Sequence, residues 1–296
     1  MKHHSGFVNI IGKPNVGKST LINALVGEKM SVINNKPQTT RHRIFAILNG
    51  PEFQIVFSDT PGLIKTPAYK MQSAMNKFAY STFEDADIFL VVSDGGNPDE
   101  IPESALKKLK RSSVPIILVI NKADKLSDEE IEKSIFEWEK ELSFSKTIII
   151  SALHKINTGL VLDHILKHLP ESPAYYPKDQ LTDRPERFFI SEIIRGQILS
   201  LYHQEIPYST EVVVTGFVEE PDKRLTKIAA EIFVSRKSQK PIIIGKNGKS
   251  IKQLGIQSRK EIEEFLDCRV YLELFVKVKE DWRDSETLLK QFGYQP

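Results

Sequence analysis

Between Phe7 and Leu25 the chain runs through a short apolar stretch, a glycine-rich turn and a segment with helical spacing. No other part of the sequence restricts the fold as strongly. The turn, Gly12-Lys13-Pro14-Asn15-Val16-Gly17-Lys18-Ser19, satisfies the phosphate-binding pattern G-x-x-x-x-G-K-[ST]. Phe7-Val8-Asn9-Ile10-Ile11 reads as a buried strand, and Leu21, Ile22, Leu25 and Val26 fall on one face of a helix. That order aims backbone N–H groups and a helix N-terminus at phosphate oxygens. Gly12 and Gly17 allow close backbone approach because neither carries a Cβ. Lys18 is expected at the β- and γ-phosphates and the Ser19 hydroxyl on Mg²⁺, with Thr20 beside them at the start of the helix.

The rest of the composition bounds the setting. A chain of 296 residues is long enough for two domains of ordinary size. A net charge of +2 means that any nucleic-acid surface must be a local patch. Cys268 is the sole cysteine, which excludes an internal disulfide and a cysteine-based metal site and fits a reducing cytoplasm. No apolar run approaches the ~18 residues of a membrane span. Met1 to Gly6 leads straight into the first strand, leaving no room for a signal peptide, and His3 and His4 read as a polar tail.

Beyond the first helix, Ser31 to Arg43 is polar and irregular and contains Pro37-Gln38-Thr39-Thr40-Arg41. Two strands, Ile44 to Leu48 and Phe53 to Ser58, flank Asn49-Gly50-Pro51-Glu52, where the proline favours a loop longer than two residues. The chain then alternates. Helices are expected at about Ala68 to Phe83, Glu100 to Lys110, Ser127 to Leu142 and Asn157 to Leu169, and strands at Ile88 to Ser93, Ile116 to Ile120 and Thr147 to Ile150. Short apolar strands between helices predict an α/β domain, a mostly parallel sheet covered on both faces, with the hairpin adding one antiparallel edge strand.

Three further stretches close strands, where open α/β sheets hold their ligands. Asp59-Thr60-Pro61-Gly62 offers a metal-side carboxylate, acting through water, and a Gly62 N–H for a γ-phosphate. Asn121-Lys122-Ala123-Asp124 offers a carboxylate whose two acceptors match guanine N1–H and the 2-amino group, while adenine lacks both donors. The Lys122 stem can lie over the base. Ser151-Ala152-Leu153 can place the Ala152 N–H at guanine O6. Together, and in this order, these stretches resemble the motif set of the translation-factor-like and Ras-like GTPases over Phe7 to Leu169.

Two departures bear on mechanism. Ras-type enzymes orient the attacking water with a glutamine directly after Asp-x-x-Gly; here the place is held by Leu63, which can neither donate nor accept. Thr39 and Thr40 are both candidates for the threonine that closes on Mg²⁺ and the γ-phosphate, and similar bacterial GTPases, with an arginine next, favour Thr40. Asn15 has two readings. In relatives without the glutamine it helps hold a potassium ion near the β- and γ-phosphates, where a cation offsets developing charge; otherwise it caps its own loop by a hydrogen bond. Lys18, Thr40, Gly62 and Asn15 are thus the expected catalytic set, and Ser19, Thr40 and Asp59 the metal set.

Pro170 to Pro185, with four prolines and no periodicity, reads as a linker, placing one domain over 1–170, the linker over 171–185 and a second domain over 186–296. The second domain is read as a helix carrying Phe188, Ile190, Ile193, Ile194, Ile198, Leu199 and Tyr202, strands at about Thr210 to Val218 and Leu225 to Val234, Pro241 to Ile251, a helix to about Leu266, strand Arg269 to Val278 and a final helix from near Asp281. At its centre is Gly245-Lys246-Asn247-Gly248, a G-x-x-G between apolar helical pieces. Ser235 to Lys260 holds eight Lys/Arg and no acid, which makes a one-sided positive surface despite near-neutral totals. Arg236, Lys237, Lys246, Lys249 and Lys252 are the expected RNA contacts with Gly245, Asn247 and Gly248. Helix–strand–strand–helix–helix–strand is the order of an α+β prokaryotic-type KH domain.

A P-loop GTPase domain followed by such a KH domain resembles the Era family of bacterial ribosome-assembly GTPases. The residues carrying the resemblance are Gly12 to Ser19, Gln38-Thr39-Thr40-Arg41-His42-Arg43, Asp59 to Leu63, Asn121 to Asp124 and Ile244 to Gly248. The resemblance implies GTP/GDP and Mg²⁺ as ligands, binding near the 3′ end of 16S rRNA, a role in 30S subunit maturation, slow hydrolysis, a monomeric cytoplasmic protein and peripheral association with the inner membrane. The competing reading is a constitutive RNA-binding scaffold with an idle GTPase, which Leu63 favours and the retention of Lys18, Ser19, Thr39/Thr40 and Asp59 opposes.

Overall fold

In the computed structural model, which describes residues 2–294 apart from 29, 32 and 35, the chain divides into two compact units, with the division at Asp183/Arg184. In the first unit β1 (His4–Ile11), β2 (Ile44–Asn49), β3 (Phe53–Asp59), β4 (Ile88–Ser93), β5 (Ile116–Ile120) and β6 (Lys146–Ile149) form one sheet in the order β2-β3-β1-β4-β5-β6. Only β2, paired with β3, is antiparallel. β4 and β5 are apolar without alternation and buried throughout, as strands covered on both faces must be. The helices are α1 (Lys18–Val26), α2 (Lys70–Ser81), α3 (Glu103–Lys110), α4 (Asp128–Glu141) and α5 (Thr158–His168). Ala79, Ala105, Leu109, Ile131 and Trp138 from α2, α3 and α4 share a core with Ile11, Phe89, Val91, Leu118 and Ile120. α1 and α5 pack against each other. Because β1 and β3 to β6 run parallel, their C-terminal ends deliver Gly12, Asp59, Asp94, Asn121 and Ser151 to one edge of the sheet.

Four local expectations are corrected. β1 begins at His4, so His3 and His4 are not a loose polar tail: their Nδ1 atoms lie 2.9 Å from Ser172 O and 3.1 Å from Leu169 O. The helix expected from Glu100 is broken. Pro98–Glu100 forms a 3₁₀ turn, and Ile101 is extended (φ −108°, ψ 158°) because the residue before a proline is pushed out of the helical region, so α3 starts after Pro102. Residues 171–183 carry no helix or strand, yet they lie along β2 and β3: Ile47 N–H donates to Leu181 O at 2.8 Å, and Gln54 Oε1 accepts from Tyr175 N–H at 2.7 Å and Tyr176 N–H at 2.9 Å. The fourth correction falls in the second unit.

That unit comprises α6 (Glu186–Leu201), β7 (Thr210–Glu220), β8 (Leu225–Val234), α7 (Gln239–Ile244), α8 (Lys249–Leu266), β9 (Arg269–Val278) and α9 (Glu286–Gln291). β8 lies between antiparallel β7 and parallel β9. Ile190, Ile194 and Ile198 of α6, Ile228 and Ile232 of β8, and Leu254 and Ile262 of α8 meet in one core. The final helix begins at Glu286 rather than near Asp281. Asp281 sits in the left-handed region (φ 49°), Trp282–Asp284 makes a 3₁₀ turn, and the Ser285 hydroxyl caps α9 by accepting from Leu288 N–H.

Candidate active site and nucleic-acid interface

The phosphate end of the first site is built by the β1–α1 turn. Gly17 takes φ 97°, and α1 starts with no side-chain cap, so its first N–H groups and the positive end of its dipole are suited to receive an anion. Lys18 is buried there, with Nζ donating to Lys13 O at 2.9 Å and Gly12 O at 3.2 Å. Burial pushes its ammonium down to about 8, against the pull of Asp59 and Asp94. Gly62 touches the same loop: a Cβ at this position would fall 2.3 Å from Pro14 N, so only glycine brings the Asp-x-x-Gly segment this close.

Ser19, Thr40 and Asp59 converge beside Lys18. Ser19 Oγ donates to Asp59 Oδ2 at 2.7 Å and is 3.0 Å from Thr40 Oγ1, which is 3.4 Å from the same carboxylate oxygen. The Thr39 hydroxyl instead donates to Lys36 O at 2.6 Å. Asp59 is fully buried, which pushes its carboxyl up, and Oδ1 has no hydrogen-bond partner among the described residues. An orphaned carboxylate oxygen beside two hydroxyls is a hard-oxygen donor set of the kind Mg²⁺ completes with phosphate and water. Leu63 turns into the core at 2% exposure, so its side chain meets no water at the site. Thr60 Oγ1 bonds back to Ile10 O at 3.4 Å, and Pro61 joins it to Gly62.

At the other end of the cleft, Asn121 is a buried tie. Its Nδ2 donates to Val16 O at 2.8 Å and its Oδ1 accepts from Ala152 N–H at 2.9 Å. Ala152 N–H, the donor expected at guanine O6, here ties the last loop to Asn121. Lys122 donates to Asn15 O at 2.6 Å and to Asp94 at 2.8 Å. Ala123 N–H donates to Ile150 O at 3.1 Å. Asp124 Oδ1 accepts from Ser151 Oγ at 2.5 Å, and that bond holds its carboxyl below the usual range. Leu153 and Ile33, both exposed, flank the opening. The cleft that these residues enclose with Asn15, Thr20 and Thr39 measures about 350 Å³.

In the second unit the G-x-x-G turn joins α7 to α8. Gly245, Asn247 and Gly248 all have positive φ (73°, 52° and 73°), and α8 begins at Lys249 without a side-chain cap. Lys246, Asn247, Lys249, Lys252 and Arg236 are exposed around it. Lys237 lies 3.3 Å from Glu280 in an exposed pair, which screening leaves weak. Beside the turn, Ile251, Lys252, Gly255, Ile256 and Arg259 of α8 face Leu272 and Leu274 of β9 across a cleft of about 320 Å³.

Residues 7–122 match the family described as 50S ribosome-binding GTPase, and residues 205–283 match the KH domain. The GTPase Era of Syntrophus aciditrophicus is 44% identical over 98% of this chain and 95% of its own length. The chain belongs to the Era family of GTPases. The chloroplastic GTPase ERA1 of Zea mays is 47% identical over 99% of this chain and 71% of its own. Two solved Era structures superpose over the full length. One, in complex with MgGDPNP and nucleotides 1506–1542 of 16S ribosomal RNA, has a TM-score of 0.92 at 38% identity, covering 99% of this chain and 100% of that one. The other, an Aquifex aeolicus Era variant bound to GDP·AlF4⁻, has a TM-score of 0.92 at 37% identity and covers 100% of both chains.

Two sets of residues in this Era-family chain escape the motif reading. Asp94 lies 3.0 Å from Lys13 Nζ and 2.8 Å from Lys122 Nζ and so ties the phosphate loop to the base-side loop, while Glu100, 2.7 Å from Lys13 Nζ, adds a second carboxylate on the phosphate loop. The usable signal was the position of Asp94 directly after β4, at the same sheet edge as the motifs. The α8–β9 cleft gave no such signal, because Leu272 and Leu274 read as the inward half of an ordinary alternating strand.

Proposed function

We propose that this Era-family chain is a GTP-hydrolysing switch that clasps single-stranded RNA near the 3′ end of 16S rRNA during assembly and maturation of the 30S subunit. The observation that carries the reading is the convergence of Lys18, Ser19 and Thr40, with Asp59 bonded to Ser19 behind them, at one end of a cleft and Asp124 at the other, on a chain that also carries a G-x-x-G turn with Lys246 and Asn247 exposed. The Era structure holding 16S rRNA nucleotides supports the choice of RNA. Ser19, Thr40 and Asp59 would hold Mg²⁺, and the ion would supply positive charge to offset the charge of the phosphate oxygens. Lys18 and the α1 N–H groups bind the phosphates, Gly62 N–H meets the γ-phosphate, and Asp124 reads guanine. Gly245 to Gly248 admit the sugar–phosphate chain, with Lys246, Lys249, Lys252, Arg236 and Lys237 around it.

RNA affinity measured with GDP and with a non-hydrolysable GTP analogue tests the switch. Linkage requires the two affinities to differ, and equal values would favour the scaffold with an idle GTPase. With Leu63 buried, water and charge must be managed otherwise. Hydrolysis is expected to run faster in K⁺ than in Na⁺ at equal ionic strength, with Asn15→Ala removing most of the difference. Phosphate-release rates that match in the two salts would leave Asn15 its loop-capping role. The family reading extends to a cytoplasmic monomer that visits the inner membrane peripherally. No described helix is long and apolar enough to cross a bilayer, so that visit would be made by surface contact.

A further inference from the structure

The irregular segment that carries Thr40 ends at Arg43, which none of the nucleotide chemistry above uses. Its guanidinium is largely buried, and Nη2 donates to both oxygens of Asp85 (2.9 and 2.7 Å) and to Ser58 Oγ (2.8 Å). Nη1 lies 3.3 Å from Ser81 Oγ, at the last residue of α2. Asp85 Oδ1 also accepts from Asn9 Nδ2 at 2.8 Å, and that amide donates to Thr82 O at 2.6 Å. Arg43 therefore joins three pieces: the Thr40 segment, the end of β3 next to Asp59, and the C-terminal end of α2.

α2 is fastened at a second point. Asn76 donates from Nδ2 to Ile64 O at 2.8 Å and accepts from Ile64 N–H at 2.9 Å, two residues beyond Gly62. One helix thus grips both segments that face the γ-phosphate. A span of three residues reaches at most about 11 Å, so anchoring Arg43 limits where Thr40 can lie.

We propose that Arg43 is a positioning residue for GTP hydrolysis: held by Asp85, it links the Thr40 segment through α2 to the Gly62 segment, so that the two close on the γ-phosphate together. The proposal rests on the GTPase reading. GDP has no γ-phosphate for either segment to meet, so the link acts only in the GTP state. A buried ion pair that served the fold alone would act equally in both.

The test uses the full chain. Asp85→Asn keeps the shape and withdraws the charge, and Arg43→Lys keeps the charge but cannot fork between Asp85 and Ser58. Each is expected to lower kcat and affinity for a non-hydrolysable GTP analogue about tenfold while leaving GDP affinity within about twofold, and the double variant should lose no more than the worse single, as residues acting through one joint do. Asn76→Ala, which disturbs no buried charge, should weaken analogue binding without weakening GDP binding. Equal losses for GDP and the analogue, no loss for either, or additive losses in the double variant would overturn the proposal. Wild-type phosphate release in the same assay reports on the parent reading separately.

Discussion

Asp124→Asn is expected to move base preference from GTP to XTP. The aspartate offers oxygens to guanine N1–H and the 2-amino group, while Ser151 Oγ, 2.5 Å from Oδ1, keeps the carboxylate ionised and aimed. Asparagine can still accept from Ser151 and from N1–H, but its amide then faces the 2-amino group donor to donor. Xanthine keeps N1–H and carries a carbonyl at position 2, which that amide matches. Leaving a donor unpaired beneath a bound base corresponds to roughly ten- to a hundredfold in affinity, and the mismatch disfavours only GTP. Competition among GTP, XTP and ATP on both proteins measures the change. A variant that still prefers GTP would place base reading outside Asn121 to Asp124.

The other large effect is loss of RNA binding when the G-x-x-G turn is made anionic. Gly245→Asp with Gly248→Asp should abolish binding and leave GTP binding intact, but the two positions are unequal. A Cβ on Gly245 would sit 2.1 Å from Ser250 Oγ, whereas one on Gly248 meets nothing within 4 Å. Gly248, at φ 73° and ψ 12°, is in the left-handed region that aspartate tolerates better than most side chains, whereas Gly245, at φ 73° and ψ 171°, is in a region essentially restricted to glycine. Gly248→Asp alone is therefore the cleaner variant, expected to fold, bind GTP and fail to hold RNA. Lys246→Gln should weaken binding less and reduce the salt slope by roughly 0.7, as one lost phosphate contact does for a single strand. Fluorescence anisotropy on a 16S 3′-end oligonucleotide reads both. Unchanged affinity in folded Gly248→Asp would move the clamp elsewhere.

What the sequence made legible are the places where chemistry demands a residue type at a fixed spacing. Gly12 to Ser19, Asp59 to Gly62 and Asn121 to Asp124 each close a strand and each need particular atoms, so type and position reinforce one another. What stayed hidden depends on direction or on distant pairing. Nothing in Ser151-Ala152-Leu153 states that the Ala152 N–H meets the Asn121 side chain. The hold of Asp94 on Lys13 and Lys122 joins three loops that only the closed sheet brings together. Ile101-Pro102 was readable in principle, since the residue before a proline is disfavoured in the helical region, and the helical spacing of Ala105, Leu106 and Leu109 masked it.

The course of residues 171–183 along β2 has a consequence for any attempt to produce the first unit alone. β2 is the last strand of its sheet, and a bare edge of that kind is a template on which a neighbouring molecule can add its own strand. Here Ile47 N–H is taken by Leu181 O, Phe45 N–H by Asp183 Oδ1 at 2.8 Å, and Ala46 is bridged to Thr182. A fragment cut at Pro170 would strip these partners away and expose apolar Ile44, Ala46 and Ile47 on an open edge, the setting in which proteins precipitate. Ending the fragment after Asp183 keeps the edge closed. The proline-rich stretch is thus a guard against self-association, and its tolerance for sequence change ends where its carbonyls meet β2.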